Sequence, residues 1–236
     1  MFTTYKNELS DSEKPLLSSL GKVEFWFNKK DRSLGSGSII QSPHFPIVAT
    51  AAHCIYDWES QSFFERISFL PYLENFKVSY TPKLAVIPKD WTNGIVDYDT
   101  GFLVFSSMFS STIDYQRHAI PIAFNLPRNM DYITLGFQNI FFPSKKPFIS
   151  KGSAQKDIYK NSSLQGIKSK GKSGMSGGPW FTIHEGRYVQ NSLTSLSMKS
   201  AKNTLWAPYW GELIEAAYRV AAGELEHDPR LLIHNY

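Results

Sequence analysis

The amino-acid sequence predicts an all-β protein made of two six-stranded antiparallel β-barrels and a C-terminal α-helix. Three observations support this prediction. Short β-prone segments alternate with Gly, Pro, Asn, Asp and Ser, which favour turns. The segments fall into two similar halves. An α/β sheet would need a helix between each pair of parallel strands, whereas the clear helical pattern lies near the end of the chain.

The first predicted barrel occupies residues 21–112. It follows residues 1–20, which are polar, have no regular hydrophobic pattern and are predicted to form an N-terminal arm over the body. The β-prone segments of this half are residues 22–27, 36–41, 47–51, 66–70, 83–87 and 102–105.

The second predicted barrel occupies residues 113–208. Leu213, Ala217 and Val220 then recur with helical spacing and predict an amphipathic helix within residues 209–223. Residues 224–236 are interpreted as a polar tail, although the apolar run 231–233 could dock on the body. The β-prone segments of the second half are residues 119–124, 132–137, 148–151, 179–183, 188–197 and 204–206.

Composition restricts the classes of function. The 236 residues are 42% hydrophobic, which is enough for a packed core. The net charge of +4 is not concentrated in a basic stripe, so a nucleic-acid partner is not expected. A run of eighteen apolar residues is absent from the sequence, so no membrane span is expected.

The single cysteine, Cys54, excludes an intrachain disulfide and every metal site built from several cysteines. We predict no metal and no cofactor. Residues 1–20 also lack the apolar stretch of a secretory signal, which favours a cytoplasmic location; secretion is the alternative if such a segment has been removed.

A glycine-rich run, Gly-Met-Ser-Gly-Gly-Pro at residues 174–179, surrounds Ser176. A serine hydroxyl attacks an acyl carbon when it is exposed, when a base removes its proton and when donors face the developing oxyanion. Glycines allow several backbone N–H groups to point into one small hole. The run therefore predicts Ser176 as a nucleophile, with an ordinary glycine-rich surface turn as the alternative.

Two further positions provide a base and an acid for this chemistry. His53 ends an apolar segment that starts near Ile47, and a strand end would hold the imidazole rigidly. Asp97 and Asp99 lead into the hydrophobic segment 102–105, where a buried carboxylate could orient the imidazole. Either aspartate could instead be a turn residue, and the residues alone leave open which one is the acid.

In the order His, Asp, Ser, these three runs resemble the signatures of the trypsin/chymotrypsin-like serine peptidases. Residues 67–72, 86–91 and 208–211 are similar to the bacterial glutamyl-endopeptidase-like branch. The resemblance covers about residues 21–222. It implies two β-barrels with a cleft between them, a protein or peptide substrate, and hydrolysis through an acyl-enzyme intermediate.

The resemblance also assigns roles to residues of this chain. His53 matches the general base and Ser176 the nucleophile. Asp99 matches the acid better than Asp97, because Gly101 follows it two positions later. The backbone N–H groups of Gly174 and Ser176 match the oxyanion hole.

The family's substrate-binding positions can be located in the same way. Ser195, Leu196 and Ser197 match the strand that pairs with the substrate backbone. Lys170 lies six residues before Ser176, where trypsin selects cations by an aspartate, and Thr194 lies where the glutamyl branch has a histidine. A lysine at this position would favour acidic side chains.

Two departures from the family pattern matter. Cys54 has no cysteine partner in residues 34–38, so it is expected to be a buried free thiol. Met175 stands where trypsin has the aspartate that pairs with a newly cut N-terminus. The resemblance therefore implies an enzyme that is active as translated or is switched by a regulatory partner.

The sequence allows two rival interpretations. Residues 174–178 also fit the Gly-x-Ser-x-Gly pattern of α/β-hydrolase esterases, but in that fold an acid and a histidine follow the serine, and Asp228 is the sole later aspartate. The other rival is a catalytically inactive relative that serves as a binding module.

Overall fold

Antiparallel strands make up most of the protein, whose computed structural model describes residues 8–28, 31–108, 114–138, 144–156, 162–197 and 203–236. The strands of the first half are β1 (Leu20–Trp26), β2 (Arg32–Ile40), β3 (Ile47–Thr50), β4 (Tyr56–Asp57), β5 (Ser62–Phe63), β6 (Ile67–Pro71), β7 (Leu84–Pro88) and β8 (Gly101–Val104). The later strands are β9 (Asp131–Gly136), β10 (Phe148–Ser153), β11 (Gln155–Lys156), β12 (Gln165–Lys168), β13 (Pro179–His184), β14 (Arg187–Leu193), β15 (Thr204–Ala207) and β16 (Leu231–Asn235).

A seven-stranded sheet forms the first lobe, in the order β16-β7-β8-β3-β2-β1-β6. β3 and β8 lie in its middle, and all their residues are buried. In β6, at the edge, burial alternates because successive side chains point to opposite faces of the sheet. The apolar side chains of this sheet form the largest core of the molecule.

The second lobe contains a four-stranded sheet, β10-β9-β13-β14, and a three-stranded sheet, β11-β12-β15. Two smaller cores lie on opposite faces of β9 and β13. Ile133 and Phe181 belong to one core, whereas their chain neighbours Tyr132 and Trp180 belong to the other. This division follows from the two-residue period of a strand.

The predicted double-barrel class is confirmed, but the described strands exceed six in each lobe, since the two sheets of the second lobe have four and three strands. Pairing among the described residues leaves each sheet open, and the first sheet has seven strands because β16 adds to the edge of β7. The segment predicted as a tail thus contributes an edge strand, anchored by the buried Leu231. The division into lobes stays a prediction, and its boundary between residues 112 and 113 lies outside the described part.

The N-terminal segment lies on the second lobe. Lys14–Ser19 forms a 3-10 helix, and its buried Leu16 joins the core that contains Phe181. Glu13, just before this helix, makes an ion pair of 2.5 Å with Lys151 of β10. The arm is therefore tied to the body by apolar packing and by an ion pair.

The C-terminal helix α1 (Glu212–Ala221) buries one face, as the helical spacing predicts. Ile214 and Ala217 lie on that face, and the helix packs against β7 and β8. Within the described ranges, no helix is both long enough and apolar enough to cross a membrane.

Candidate active site

His53 lies just after β3, in the short 3-10 turn Ala52–Cys54. Its neighbours Ala52 and Cys54 are fully buried, whereas its own side chain is 32% exposed. The ring of Trp91 lies nearby, with 6.2 Å between the ring centroids. The imidazole is thus anchored on a rigid strand end while it keeps access to solvent.

The carboxylate of Asp99 holds His53 in place. Its Oδ2 lies 2.8 Å from Nδ1 of the imidazole, and its Oδ1 accepts the backbone N–H of His53 at 2.9 Å. Because an ionised carboxylate is an acceptor, Nδ1 carries the proton and Nε2 is left as the acceptor nitrogen. The hydroxyl of Ser195 also donates to Oδ2, at 2.5 Å.

Burial and charge act in opposite directions on this pair. Burial lowers the pKa of His53, but the negative charge of Asp99 and the hydrogen bond to it outweigh burial, so the pKa lies well above its ordinary value. Burial raises the pKa of Asp99, but the charge of His53 and the hydrogen bonds from His53 and Ser195 lower it overall. The carboxylate therefore stays ionised although Asp99 is only 1% exposed.

Asp97, the other candidate acid, points elsewhere. Its Oδ1 accepts hydrogen bonds from the backbone N–H and the hydroxyl of Ser163, the latter at 2.7 Å, and from the hydroxyl of Ser162 at 3.2 Å. Of the two aspartates that the sequence offers, Asp99 is the one whose carboxylate faces His53.

The backbone of the Ser176 loop packs against the segment that carries His53. Gly177 has a φ of +80°, in the left-handed region that favours glycine. A Cβ atom on Gly177 would lie 2.2 Å from Oγ1 of Thr50 and 2.8 Å from the backbone N of Ala51. Gly177, which follows Ser176, therefore packs against Thr50 and Ala51, which lie just before His53.

Among residues 174–178, two backbone N–H groups are left without an acceptor by the described part of the protein. Met175, Gly177 and Gly178 donate theirs to backbone carbonyls at 3.3, 2.7 and 2.8 Å. The N–H groups of Gly174 and Ser176 have no acceptor among the described residues. These are the two donors that the sequence predicts for the oxyanion hole.

Ser36 of β2 supports the loop, which sequence reasoning did not foresee. Its hydroxyl donates to the carbonyl of Gly174 at 2.9 Å and accepts the N–H of Phe137 at 2.8 Å. Its own N–H donates to the carbonyl of Ser176 at 2.7 Å. The sequence signal was the run of small residues at 35–38, because Gly35 also lies against the carbonyl of Ser176.

The predicted substrate-binding residues separate into two groups. Ser195, Leu196 and Ser197 follow β14, and Leu196 pairs with Trp206 of β15. Thr194, in contrast, is only 2% exposed, and its hydroxyl accepts the indole N–H of Trp180 at 2.9 Å. Its side chain therefore bonds inside the lobe rather than facing a substrate.

Lys170 is exposed and lines a cavity on the second lobe. Its predicted contact with a substrate side chain stays a prediction.

The free Cys54 is buried, and Met175 is buried in an apolar core. Within the described ranges, no three His, Cys, Asp or Glu side chains come together in a group that could hold a metal ion.

Comparisons with known proteins bear on the fold. No protein-family model matches the sequence, and no curated protein sequence matches it. The solved protease Anisep from Arthrobacter nicotinovorans is 27% identical with a TM-score of 0.75, over 87% of this chain and 96% of that one. The thermostable serine protease AL20 from an extremophilic microorganism is 28% identical with a TM-score of 0.76, over 89% of this chain and 100% of the other.

A Glu endopeptidase structure shares the fold at 14% identity, with a TM-score of 0.66 over 93% of this chain and 96% of that one. Identity this low speaks for the fold alone, whereas the two proteases above are similar in both fold and sequence. The chain therefore has the chymotrypsin-like fold and is similar to serine proteases of that fold in both structure and sequence.

Proposed function

We propose that the protein is a serine endopeptidase in which Ser176 is the nucleophile, His53 the general base and Asp99 the carboxylate that orients it. The observation that carries this proposal is the hydrogen-bonded pair of His53 and Asp99, with 2.8 Å between Nδ1 and Oδ2, beside the loop of Ser176. Both solved proteases with 27% and 28% identity act on proteins or peptides by name, which supports a polypeptide substrate.

The proposed reaction has two stages. Nε2 of His53 takes the proton of the Ser176 hydroxyl while the oxygen attacks the peptide carbonyl, and the N–H groups of Gly174 and Ser176 donate to the developing oxyanion. The tetrahedral intermediate collapses, the C–N bond breaks, and His53 gives the proton to the leaving amine. The acyl-enzyme remains.

In the second stage His53 takes a proton from water, and the resulting hydroxide attacks the acyl carbon. The C–O bond to Ser176 then breaks, the proton returns to the serine oxygen, and the carboxylic acid product leaves. Asp99 stabilises the imidazolium in both stages, and the raised pKa of His53 is consistent with that role.

Covalent labelling with a fluorophosphonate tests the proposal most directly, because the probe reacts with an activated serine. The wild-type protein should be labelled, and Ser176→Ala should not. Ser173→Ala is the matched control, because Ser173 is an exposed residue of the same loop and should leave labelling intact. Turnover of a peptide substrate should fall by about 10³-fold or more in Ser176→Ala.

Two results would contradict the proposal. A folded wild-type protein that is neither labelled nor able to cleave peptides would favour the alternative of an inactive binding module. Labelling that persists in Ser176→Ala would place the nucleophile on another serine. Circular dichroism of each variant shows whether it is folded.

A further inference from the structure

A cavity of about 430 Å³ lies on the second lobe, between β10, β12 and the start of β15. Ser150 and Ser169 join two of its walls through a hydrogen bond of 2.6 Å between their hydroxyls. Lys168, Lys170 and Asn203 line it as well. One hydroxyl proton is used in this bond, so the lining offers the other hydroxyl proton, a side-chain amide and ammonium groups as hydrogen-bond donors to an anion.

The positive charge of this cavity is not neutralised by the protein. Lys168 and Lys170 are exposed, and within the described residues neither has a carboxylate in ion-pair distance. Lys151, a third lysine of the lining, is bound to Glu13 at 2.5 Å. Two free ammonium groups beside a hydroxyl donor are the chemistry that binds phosphate or carboxylate oxygens.

A short series of contacts connects the cavity to the loop of Ser176. The backbone N–H of Gly171 donates to the hydroxyl of Ser169 at 3.0 Å. A Cβ atom on Gly171 would lie 2.7 Å from Sδ of Met175, so the backbone of Gly171 packs directly on that side chain. Met175 lies between Gly174 and Ser176, whose N–H groups are the available donors.

We propose that this cavity binds an oxyanion, carried by a phosphate or a carboxylate group, and that the bound anion stabilises the loop of Ser176. A ligand that draws Lys168 and Lys170 together restricts the segment that ends at Gly171, and through Met175 it restricts the two oxyanion donors. The anion thus acts as an activator. The effect on activity rests on the proposed peptidase function, but binding and loop stabilisation do not.

Binding is measured in the Ser176→Ala background, so that the result does not depend on catalysis. Inorganic phosphate and a short oligoglutamate peptide are titrated separately at constant ionic strength, and calorimetry gives each Kd. Replacing both lysines, Lys168→Gln with Lys170→Gln, should raise the Kd at least about tenfold, because two attractive charges are lost. Lys172→Gln is the matched control, since Lys172 is exposed two residues beyond Lys170 and outside the cavity.

Hydrogen exchange and kinetics then test the coupling. The better ligand should slow amide exchange in the peptide covering residues 171–178, and in the protein with Ser176 intact it should raise kcat several-fold. Both effects should vanish in the double variant and persist in Lys172→Gln. The ligand that binds more tightly identifies the source of the oxyanion.

Three outcomes would overturn the inference. The cavity is not an anion site if neither ligand binds, or if the Kd rises equally in the double variant and in Lys172→Gln. The coupling is wrong if a ligand binds without slowing exchange in the loop. If exchange slows but the protein with Ser176 intact has no peptidase activity, the peptidase proposal is wrong and the site stands.

Discussion

The two halves of the candidate site are held together by different kinds of interaction. His53 and Asp99 are joined by side-chain hydrogen bonds and opposite charges. The Ser176 loop is held by backbone hydrogen bonds and by glycines at positive φ, such as Gly174 and Gly177. The first half therefore sets where protons reside, and the second sets where the backbone lies.

This difference determines how each half tolerates change. A carboxylate replaced by an amide keeps its shape and loses its charge, so the fold persists while the chemistry changes. Replacing a glycine by alanine changes no charge but makes a positive φ unfavourable, so the backbone must shift. Substitutions in the two halves are expected to separate into effects on rate and effects on stability.

The largest effect is expected for Asp99→Asn. The amide cannot hold Nδ1 of His53 in the required tautomer or stabilise the imidazolium, so kcat should fall by about 10³–10⁴-fold. Asp97→Asn is the matched control, because the carboxylate of Asp97 faces Ser162 and Ser163. Steady-state kinetics on a peptide substrate would measure both.

The Asp97 variant is expected to keep kcat within about tenfold of the wild type, since its partners lie outside the pair. Equal losses of rate in the two variants, with both proteins folded, would mean that the carboxylate facing His53 has no special part in the reaction. The pair of His53 and Asp99 would then not control the position of the protons, as the comparison assumes.

The next largest effect is expected for Gly177→Ala. Its Cβ atom would lie 2.2 Å from the carbonyl of Ser36 and 2.2 Å from Oγ1 of Thr50, and its φ is +80°. The free energy of unfolding should fall by at least about 3 kcal/mol, because strain and backbone overlap add. Urea unfolding measures the loss.

Gly186→Ala is a control for strain without overlap. Its φ is +76°, but apart from its chain neighbours no atom of the described residues lies within 4 Å of the position of its Cβ. It should lose only about 1 kcal/mol, the cost of the left-handed conformation. If both variants lost the same free energy of unfolding, the close approach of the serine loop to Thr50 would make no contribution to the loss.

Sequence could predict those parts of the site that depend on neighbouring residues. The glycines around Ser176 and the apolar segment before His53 are local patterns, and each was found from the chain alone. The choice between Asp97 and Asp99 was different, because two aspartates in one short turn present the same pattern. Only the three-dimensional path of the turn decides which carboxylate faces the imidazole.

Contacts between distant parts of the chain were beyond sequence reasoning. Ser36 resembles any other serine in a strand, yet it bonds to Gly174, which is 138 residues away. The predicted strand at 119–124 forms only isolated bridges, because Ile120 pairs with Ile40 of β2 whereas Ile122 pairs with Gln190 of β14, in the other sheet. Strand β16 was not predicted as a strand, because its partner β7 lies more than a hundred residues earlier.

The smallest effect is a displacement along the pH axis, and its sign follows from the charges. Asp99 raises the pKa of His53 above its ordinary value of 6.5, against the effect of burial. Stability gained by this raised pKa is fully present below pH 6.5 and is lost as the pH rises through the pKa of the folded protein. The lowered pKa of Asp99 contributes stability above its ordinary value of 3.8, which is lost as the pH falls. The difference in unfolding free energy between wild type and Asp99→Asn should therefore be largest between these two values.

The same charges set the pH profile of the rate. Because His53 acts as a base only when neutral, kcat/KM of the wild type should rise with pH and have its midpoint above 6.5. Asp99→Asn removes the charge and leaves the burial, so its midpoint should move to lower pH, whereas Asp97→Asn should keep the wild-type midpoint. Profiles of kcat/KM between pH 5 and pH 9 would show the shift. A midpoint that stays in place in Asp99→Asn would mean that the charge of Asp99 does not offset the effect of burial on the pKa of His53. Asp99 would then act on His53 through hydrogen-bond geometry alone.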